Sequence, residues 1–458
     1  MDIPPSCALY SLGCKVNAAE IESLGQALTD AGLQIVPWEE KADLYIINGC
    51  AVTAQAAAKT RQLARRIKRE HPSSLLALVG CYSTAEPQEA LACGADLVLN
   101  NLAKDDLVEL LLHSGLIPRA PRDTEGECAE EVYPPVADKA SQSARREISA
   151  THASVGLASE THTRALLKIQ DGCNSRCSYC IIPTLRGRER SKPLSEIRSA
   201  VITLRDRGYQ EIVLTGIHLS RWGHDFTPSL TLTDLLQTLL GIDHLPRIRL
   251  SSTELSDLDE GLIAVLASHA AAICPHLHIP LQSGCDETLR RMGRNYSLLE
   301  YHRGIARLRA AIPDVALTTD LIVGFPGETE EEFAASLQFC ADIKFSRMHI
   351  FRFSSRKGTV AAGLPDKVRH TDMERRSKMM QEQSLRMAAE FAASFIGREV
   401  EVLLESKDVA TRVAKGYSEH YLVCRTVYQE AIPRQGLLCR LRIQSSDNHG
   451  LEGEIVSP

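Results

Sequence analysis

The chain has 458 residues, which is too long for one small module and suits two or three folded units of ordinary size. Hydrophobic residues make up 44% of the chain and charged residues 24%, so a mainly disordered chain is excluded. The net charge of −6 at pH 7 excludes a globally basic nucleic-acid binder, so local basic patches would have to hold any polyanion.

Two features of the sequence indicate a cytoplasmic protein without a membrane partner. The apolar runs fall short of the roughly 20 residues that a membrane span needs, and the first five residues lack the regions of a signal peptide. Fourteen cysteines are many for such a chain, because disulfides rarely persist in the cytoplasm. Thiolates that hold metal or take part in chemistry are therefore the leading explanation.

The N-terminal part of the chain shows a strand–helix–strand–helix–strand pattern. Strands are predicted over residues 7–12, 43–48 and 75–80. The first connecting helix is predicted to begin with a capping box at Asn17 and Glu20 and to end at Gly32, and the second runs over 53–70. This alternation predicts a parallel sheet.

Three cysteines of this region follow the ends of the three predicted strands. Cys14, Cys50 and Cys81 each lie just beyond a strand, and open α/β sheets place their ligands at the carboxyl ends of parallel strands. The three thiols are thus expected to converge. The competing interpretation is that they are buried structural cysteines.

The rest of the chain divides into three parts by its pattern. Residues 114–163 are rich in Pro, Ser, Ala and charge without a sustained period, which is typical of a linker or insertion. Six strands alternating with helices, an incomplete (βα)6 barrel, are predicted over residues 166–170, 211–214, 247–250, 276–279, 315–320 and 346–351. A long helix over 371–395 follows, and strand-like runs such as 399–405 and 437–443 predict a small β-barrel of the OB-fold kind.

A second cysteine group is local in sequence. Cys173, Cys177 and Cys180 form a CxxxCxxC loop directly after the first barrel strand, and such a loop can hold three irons of one [4Fe–4S] cluster. The fourth iron then lacks a protein ligand and is open to a small molecule. A zinc site or chance clustering is the alternative, although separated CxxC pairs, as in zinc ribbons, are not seen at this motif.

At this motif the sequence resembles the radical S-adenosylmethionine (SAM) enzymes, whose CxxxCxxC cluster chelates SAM. Further motifs look like signatures of the methylthiotransferases within that group. These motifs are Leu12-Gly-Cys-Lys-Val-Asn17, Gly49-Cys-Ala-Val-Thr53, Gly80-Cys-Tyr82, Asp171-Gly-Cys-Asn174, Ile181-Ile-Pro183, His278-Ile-Pro-Leu-Gln-Ser-Gly284 and Ile322-Val-Gly-Phe-Pro-Gly-Glu-Thr329.

The resemblance implies a division of the chain and a set of ligands. Residues 1–113 would form the N-terminal methylthiotransferase domain, 114–163 a linker or insertion, 164–396 the radical SAM partial barrel and 397–458 a TRAM-like β domain. Cys14, Cys50 and Cys81 would hold an auxiliary [4Fe–4S] cluster, while Cys173, Cys177 and Cys180 would hold the radical cluster. The remaining cysteines are interpreted as packing residues, namely Cys7, Cys93, Cys128, Cys274, Cys285, Cys340, Cys424 and Cys439.

SAM itself is expected at the strand ends of the barrel. Gly216 permits close approach of a ligand to the backbone, Glu254 suits the ribose hydroxyls or amino group of SAM, and Gln282 offers both a donor and an acceptor. Phe351 lies in the last strand-end loop. Tyr179, beside Cys180, is placed near the adenine. Each of these residues also has an ordinary turn, surface or core interpretation.

The implied chemistry replaces an aromatic C–H bond by C–S, for which acid–base catalysis near neutral pH offers no route. In the family, one SAM methylates a sulfur attached to the auxiliary cluster, and a second is cleaved to a 5′-deoxyadenosyl radical that abstracts hydrogen. This route needs a reducing electron donor and a sulfur source as partners.

Two basic runs predict contact with RNA phosphates. One lies on the helix over 53–70, where Arg61, Arg65 and Arg69 share a face. The other, Arg186 to Lys192, follows the radical-cluster loop, and its competing interpretation is a solvated face. The C-terminal segment has nearly balanced charge, which departs from a strongly basic RNA-binding module.

Short sequence motifs distinguish between the substrates known in the family. The motifs at 180–183, 211–218 and 276–280 look most like the branch that adds a methylthio group to C2 of N6-threonylcarbamoyladenosine 37 in the tRNA anticodon stem-loop. Single-stranded loops leave such bases accessible. Isopentenyladenosine tRNA and a ribosomal-protein aspartate are the alternatives within the family. A non-enzymatic iron–sulfur sensor or RNA-binding scaffold is the alternative from another class.

Overall fold

A computed structural model describes residues 4–113, 163–428, 435–447 and 449–457. The predicted linker therefore lies outside the described residues except for its last residue, and so does Cys128. No helix in the described part of the chain combines the length and apolar character needed to span a bilayer.

The N-terminal part is a five-stranded parallel sheet with helices on both faces. Its strands are β1 (Ser6–Ser11), β2 (Gln34–Val36), β3 (Leu44–Gly49), β4 (Leu75–Gly80) and β5 (Leu97–Leu99), in the order β2-β1-β3-β4-β5. Its helices are α1 (Lys15–Asp30), α2 (Ala54–Glu70), α3 (Cys81–Ala85), α4 (Pro87–Ala92) and α5 (Leu107–His113). Alternate residues of the nearly all-apolar strands β3 and β4 enter two separate cores, one on each face of the sheet. The predicted parallel sheet is confirmed.

The predicted capping box of α1 is wrong. The helix begins at Lys15 with Cys14 as its N-cap, and Asn17 lies inside the first turn. Asn17 Nδ2 donates to the Leu12 carbonyl at 2.7 Å, and the Glu20 carboxylate forms ion pairs with basic residues of other elements. Tertiary contacts therefore occupy the side chains that a capping box would need.

The central part contains six parallel strands in barrel order. All its strands are β6 (Ala165–Lys168), β7 (Gln170–Asp171), β8 (Arg190–Ser191), β9 (Glu211–Thr215), β10 (Arg247–Leu250), β11 (His276–His278), β12 (Ala316–Val323) and β13 (Arg347–Arg352). The sheets β6-β9-β10 and β11-β12-β13 are joined by a parallel bridge between Ile248 and Ile273. The predicted partial barrel is thus confirmed, with strand bounds shifted by no more than three residues.

Helices surround this barrel on its outside. They are α6 (Ile182–Arg186), α7 (Leu194–Asp206), α8 (Leu232–Leu240), α9 (Glu260–Ser268), α10 (Asp286–Met292), α11 (Leu298–Ala311), α12 (Glu330–Ile343) and α13 (His370–Ala393). Short 3-10 turns lie at Leu219–Arg221, Leu255–Asp257 and Val360–Gly363 in this part, and at Lys104–Asp106 in the N-terminal part. The largest core of the described residues packs between these helices and the outward strand positions such as Ile248, Leu250, Leu277 and Leu317.

The inward strand positions of the barrel are mostly polar, unlike the apolar interior of a closed eight-stranded barrel. They include Glu211 and Thr215 on β9, Arg249 on β10, His276 and His278 on β11, Thr318 and Asp320 on β12, and His349 and Phe351 on β13. His349 and Phe351 are exposed although their neighbours in sequence pack into the core. The barrel interior is therefore lined mainly by polar side chains, most of them buried, and it reaches solvent at His349 and Phe351.

A closed five-stranded barrel forms the C-terminal part. Its strands are β14 (Glu399–Asp408), β15 (Val413–Ser418), β16 (Val423–Val427), β17 (Leu438–Asp447) and β18 (Gly450–Ser457), in the order β14-β15-β16-β18-β17. Apolar residues such as Val402, Leu404, Leu441 and Leu451 fill its interior. The predicted small β-barrel is confirmed, with strands longer than the runs the sequence showed.

Buried guanidinium groups bind this C-terminal barrel to the central one. Arg249 donates to the carbonyls of Ser418 and Glu419 at 3.0 and 2.9 Å, and Arg247 donates to that of Tyr417 at 3.1 Å. Both arginines also pair with Glu211, whose side chain has no exposed surface. Burial by itself would raise the pKa of Glu211, but Arg249 and Arg247 lower it to about 2.

Candidate functional site

The cysteines at positions 14, 50 and 81 come together at one edge of the N-terminal sheet. Cys14 caps α1 just after β1, Cys50 directly follows β3, and Cys81 begins α3 just after β4. These three strands are neighbours and parallel, so their carboxyl ends lie side by side. Gly13, at φ +106°, lets the backbone pass close to Cys50, since a Cβ there would stand 2.8 Å from the Cys50 sulfur.

The three thiols lie within one another's electrostatic field. Burial, together with the charges of Cys81 and Cys14, raises the pKa of Cys50 to about 11. Cys14, which is exposed, also lies within the electrostatic field of Cys81 and Arg186. Such repulsion between thiolates is relieved by a bound cation. Three convergent sulfurs therefore fit three corners of a [4Fe–4S] cluster.

The second trio lies on the loop between β7 and α6, at the end of the first barrel strand. All three of its cysteines are partly exposed, so they are accessible to a ligand. Burial raises the pKa of Cys180 to about 12, and Cys177 and Cys173 add to this rise. The donor set again suits a cluster with three thiolate ligands.

A histidine that the sequence analysis did not single out contacts this second trio. The His218 Nδ1 lies 3.7 Å from the Cys173 sulfur, and its Nε2 lies 3.0 Å from Asp257. Burial alone would lower the pKa of His218, but Asp257 and Cys173 raise it to about 9. Cys173, His218 and Glu189 present ligand atoms within 4.8 Å of one another.

Arg294 was also missed, although it links two predicted site residues. Its Nη1 donates to the Cys177 sulfur at 3.4 Å, and its Nη2 pairs with the Glu254 carboxylate. Glu254 thus lies beside the radical-cluster loop, as expected, but an arginine of this chain already binds it. No pattern in the sequence connects Arg294 to a site, because it lies 117 positions from Cys177.

The other predicted SAM contacts are spread around the strand ends. Phe351 faces the barrel interior and is 42% exposed, whereas Gln282 is 9% exposed, with φ +66° and its backbone bonded to β12. Tyr179 packs edge-on against Phe325 in a small apolar cluster at a centroid distance of 6.5 Å. At Gly216 an added Cβ would stand 3.0 Å from the Gln170 side chain. The glycine therefore allows close packing against Gln170.

Arg186 connects the loops of the two trios. Its side chain has no exposed surface and pairs with Glu20 at 2.8 Å and Asp171 at 3.0 Å. It also donates to Asn17 Oδ1 at 2.6 Å. Asn17 lies in the first turn after Cys14, and Asp171 stands two positions before Cys173. The predicted role of Arg186 in a phosphate-binding run is therefore wrong, because the guanidinium is used inside the protein.

The basic face of α2 is only partly available to a polyanion. Arg61 pairs with Glu89 at 3.2 Å, Lys68 pairs with Asp96 at 2.8 Å, and Arg66 pairs with Glu70 at 2.8 Å. Arg65 and Lys59 are exposed on the same helix. Acidic neighbours therefore neutralise part of the predicted stripe.

Two family models match the chain in the regions of the two trios. Residues 167–340 match the Radical SAM superfamily, and residues 6–100 match the Uncharacterized protein family UPF0004. Among solved structures, the radical S-adenosylmethionine methyltransferase TsrM of Kitasatospora setae superposes with a TM-score of 0.54 at 16% identity, covering 79% of this chain and 77% of that one. This likeness supports the fold of the barrel part.

Curated relatives extend over nearly the whole chain. A threonylcarbamoyladenosine tRNA methylthiotransferase, MtaB, of Thermotoga maritima is 34% identical over 90% of this chain and 89% of its own length. The protein of that name in Bacillus subtilis is 34% identical over 98% and 96%. A tRNA-2-methylthio-N(6)-dimethylallyladenosine synthase of Chloroflexus aurantiacus is 34% identical over 87% and 81%. The chain belongs to the radical SAM methylthiotransferase family.

Proposed function

We propose that this protein adds a methylthio group to C2 of N6-threonylcarbamoyladenosine at position 37, in the anticodon stem-loop of tRNA. Members of the family use SAM and two [4Fe–4S] clusters. The polar interior of the barrel supports the choice of threonylcarbamoyladenosine over isopentenyladenosine as the substrate. A threonylcarbamoyl group has a carboxylate, a hydroxyl and amide groups to satisfy, whereas an isopentenyl group is a hydrocarbon that an apolar pocket would suit.

We assign the two trios to the two clusters. Cys14, Cys50 and Cys81 would hold the auxiliary cluster, and Cys173, Cys177 and Cys180 the radical cluster. Convergence of each trio and mutual repulsion of its thiolates support this assignment. When bound, SAM and the clusters supply the carbon radical and the sulfur that side chains lack.

The chain's own groups position these reactants. Arg294 donates to Cys177 and fixes the Glu254 carboxylate, so Glu254 is proposed to face SAM from a defined direction. Gln282, Phe351, Tyr179 and Gly216 complete the proposed SAM pocket. Arg186 joins the loops of the two trios through buried ion pairs, so it fixes their separation.

The same proposal covers the remaining partners and the division of the chain. Arg65 and Lys59, exposed on the helix α2 that follows Cys50, are proposed to contact tRNA phosphates. A reducing electron donor and a sulfur source are required by the chemistry. The domains proposed are 1–113, 164–396 and 397–458, with 114–163 as the linker.

The test is turnover on two defined tRNAs without oxygen. The protein is reconstituted with iron and sulfide, supplied with SAM and a chemical reductant, and offered tRNA with either N6-threonylcarbamoyladenosine or isopentenyladenosine. Digested nucleosides are analysed by mass spectrometry. The expected result is a methylthio gain on threonylcarbamoyladenosine alone, and a gain on isopentenyladenosine alone would overturn the substrate assignment.

Two other outcomes distinguish the remaining alternatives. Formation of 5′-deoxyadenosine without a methylthio gain on either tRNA would move the substrate towards a protein such as a ribosomal one. Filled clusters without any 5′-deoxyadenosine would favour a sensor or scaffold.

A further inference from the structure

Lys15 extends from the N-terminal trio into the barrel interior. It follows Cys14 directly, at the first position of α1, and is partly exposed. Its ammonium lies 5.3 Å from the centre of the Tyr421 ring, and its charge acts on His276 and His349 of the barrel. Within the described residues, Lys15 makes no ion pair. A partly exposed lysine that follows Cys14 in sequence therefore lies among the polar residues of the barrel interior.

Tyr421 brings three cations together at this place. Arg249 lies 4.9 Å and Arg164 lies 5.4 Å from the centre of the same ring. Tyr421 has φ +63°, a left-handed conformation that costs a non-glycine residue free energy. The surrounding structure thus holds this ring among the three cations in spite of backbone strain.

Anionic groups that face the same interior are already paired. Glu211 is bound by Arg247 and Arg249, and Asp320 pairs with His278 at 3.3 Å. Next to them, His276 is 2% exposed, and its Nδ1 has no hydrogen-bond partner among the residues described. Its ring lies 4.8 Å from that of Tyr421. Within the described residues, this end of the barrel therefore holds a lysine without an ion pair and a buried polar nitrogen without a hydrogen-bond partner.

We infer that Lys15, resting on the Tyr421 ring, binds the carboxylate of the threonyl group on the substrate adenosine. This inference rests on the proposed function and names the residue that selects its substrate. The His276 ring, 4.8 Å from that of Tyr421, packs against the same tyrosine.

The chemistry of the base agrees with this placement. In a purine ring, C2 and C6 flank N1, so the substituent on N6 extends away beside the edge that carries C2. If C2 faces the sulfurs at positions 14, 50 and 81, the N6 substituent then extends past the start of α1. Lys15 lies at the start of α1, and within the described residues it makes no ion pair. An uncharged isopentenyl group would leave this cation without a partner.

The test compares two anticodon stem-loops with the wild-type protein and Lys15→Gln. One stem-loop carries N6-threonylcarbamoyladenosine, and the other carries its threoninamide analogue, which is neutral and of nearly equal shape. Charge-assisted hydrogen bonds predict that either the amide or Lys15→Gln lowers kcat/KM about tenfold to a hundredfold. The two changes together are expected to lower it little further, because both remove the same contact.

Controls separate recognition from damage to the cluster. Iron content and substrate-free cleavage of SAM are expected to be unchanged in Lys15→Gln, and Lys15→Arg should restore part of the selectivity. Lys41→Gln, at an exposed lysine that precedes β3, is the matched control with wild-type kinetics expected. Tyr421→Leu, which keeps the N-terminal loop intact, should lower turnover of the carboxylate substrate more than that of the amide.

Distinct results would overturn the inference. Equal losses on the acid and the amide in Lys15→Gln and Tyr421→Leu would give these residues a structural role only. A rise in the SAM concentration needed for half-maximal cleavage would assign Lys15 to the carboxylate of SAM. Failure of the wild-type protein on both stem-loops, with isopentenyladenosine accepted, would instead reject the proposed function.

Discussion

The two cysteine trios are built in different ways. Cys173, Cys177 and Cys180 belong to one loop, so their spacing alone brings them together. Cys14, Cys50 and Cys81 come from three segments and meet only because β1, β3 and β4 are adjacent and parallel. A local trio depends on a short loop, whereas a distributed trio depends on the whole sheet. We therefore expect substitutions in one trio to affect its own proposed cluster and to leave the other cluster in place.

The largest effect is expected from Cys177→Ala in the local trio. Loss of one of three thiolates should abolish SAM cleavage, because the remaining two leave the radical cluster without its ligand set. Product and 5′-deoxyadenosine are both expected to disappear when measured by mass spectrometry after anaerobic turnover. Retention of SAM cleavage at the wild-type rate would contradict the assignment.

Cys50→Ala in the distributed trio should have a narrower effect. Methylthio insertion is expected to stop, while some 5′-deoxyadenosine continues to form, because the radical cluster lies on another element. The ratio of 5′-deoxyadenosine to methylthio product in the same assay is the readout. If SAM cleavage falls as far as in Cys177→Ala, the two trios do not have separate roles.

The next effect concerns the connection between the trios. Arg186→Met removes a buried cation from Glu20 and Asp171 and should lower the free energy of unfolding by about 3–5 kcal/mol. Thermal unfolding of the cluster-free protein measures this loss of stability. Arg188→Ala, at an exposed position on the same segment, is the control and should stay within about 0.5 kcal/mol of wild type. Equal stability of the two variants would show that the buried network contributes little.

The smallest effect is expected at the basic face of α2, the helix that follows Cys50. Arg65→Ala should weaken tRNA binding uniformly and reduce the slope of log affinity against log salt by about 1. Arg66→Ala serves as the comparison, because Glu70 already pairs with Arg66. Titrations at several salt concentrations measure both slopes. An unchanged slope in Arg65→Ala would remove this residue from the RNA contact.

The sequence predicted the elements better than the contacts between them. Strands are predicted where short runs lie between helical patterns. Leu75–Gly80 of the N-terminal sheet and Arg247–Leu250 of the barrel have the predicted bounds. The capping box at Asn17 and the phosphate role of Arg186 were wrong for one reason. Both side chains take part in a buried network between the N-terminal and central parts of the chain, and no local pattern reveals such a network.

The same limit applies to the candidate site. The two cysteine trios could be predicted, one from its positions at strand ends and the other from its CxxxCxxC spacing. Arg294, His218 and Tyr421 reach the site from distant positions, so spacing carried no signal for them. The alternation of polar residues on β11 and β12 was the one available sign of a polar barrel interior.

Iron analysis of three proteins tests the separation of the trios most directly. The wild-type protein, a variant with all three N-terminal cysteines changed to Ala, and one with all three loop cysteines changed to Ala are reconstituted identically. About eight irons per chain are expected in the wild type and about four in each variant, because each trio would hold one [4Fe–4S] cluster. Wild-type iron content in either variant, or complete loss of iron in either folded variant, would contradict two independently held clusters.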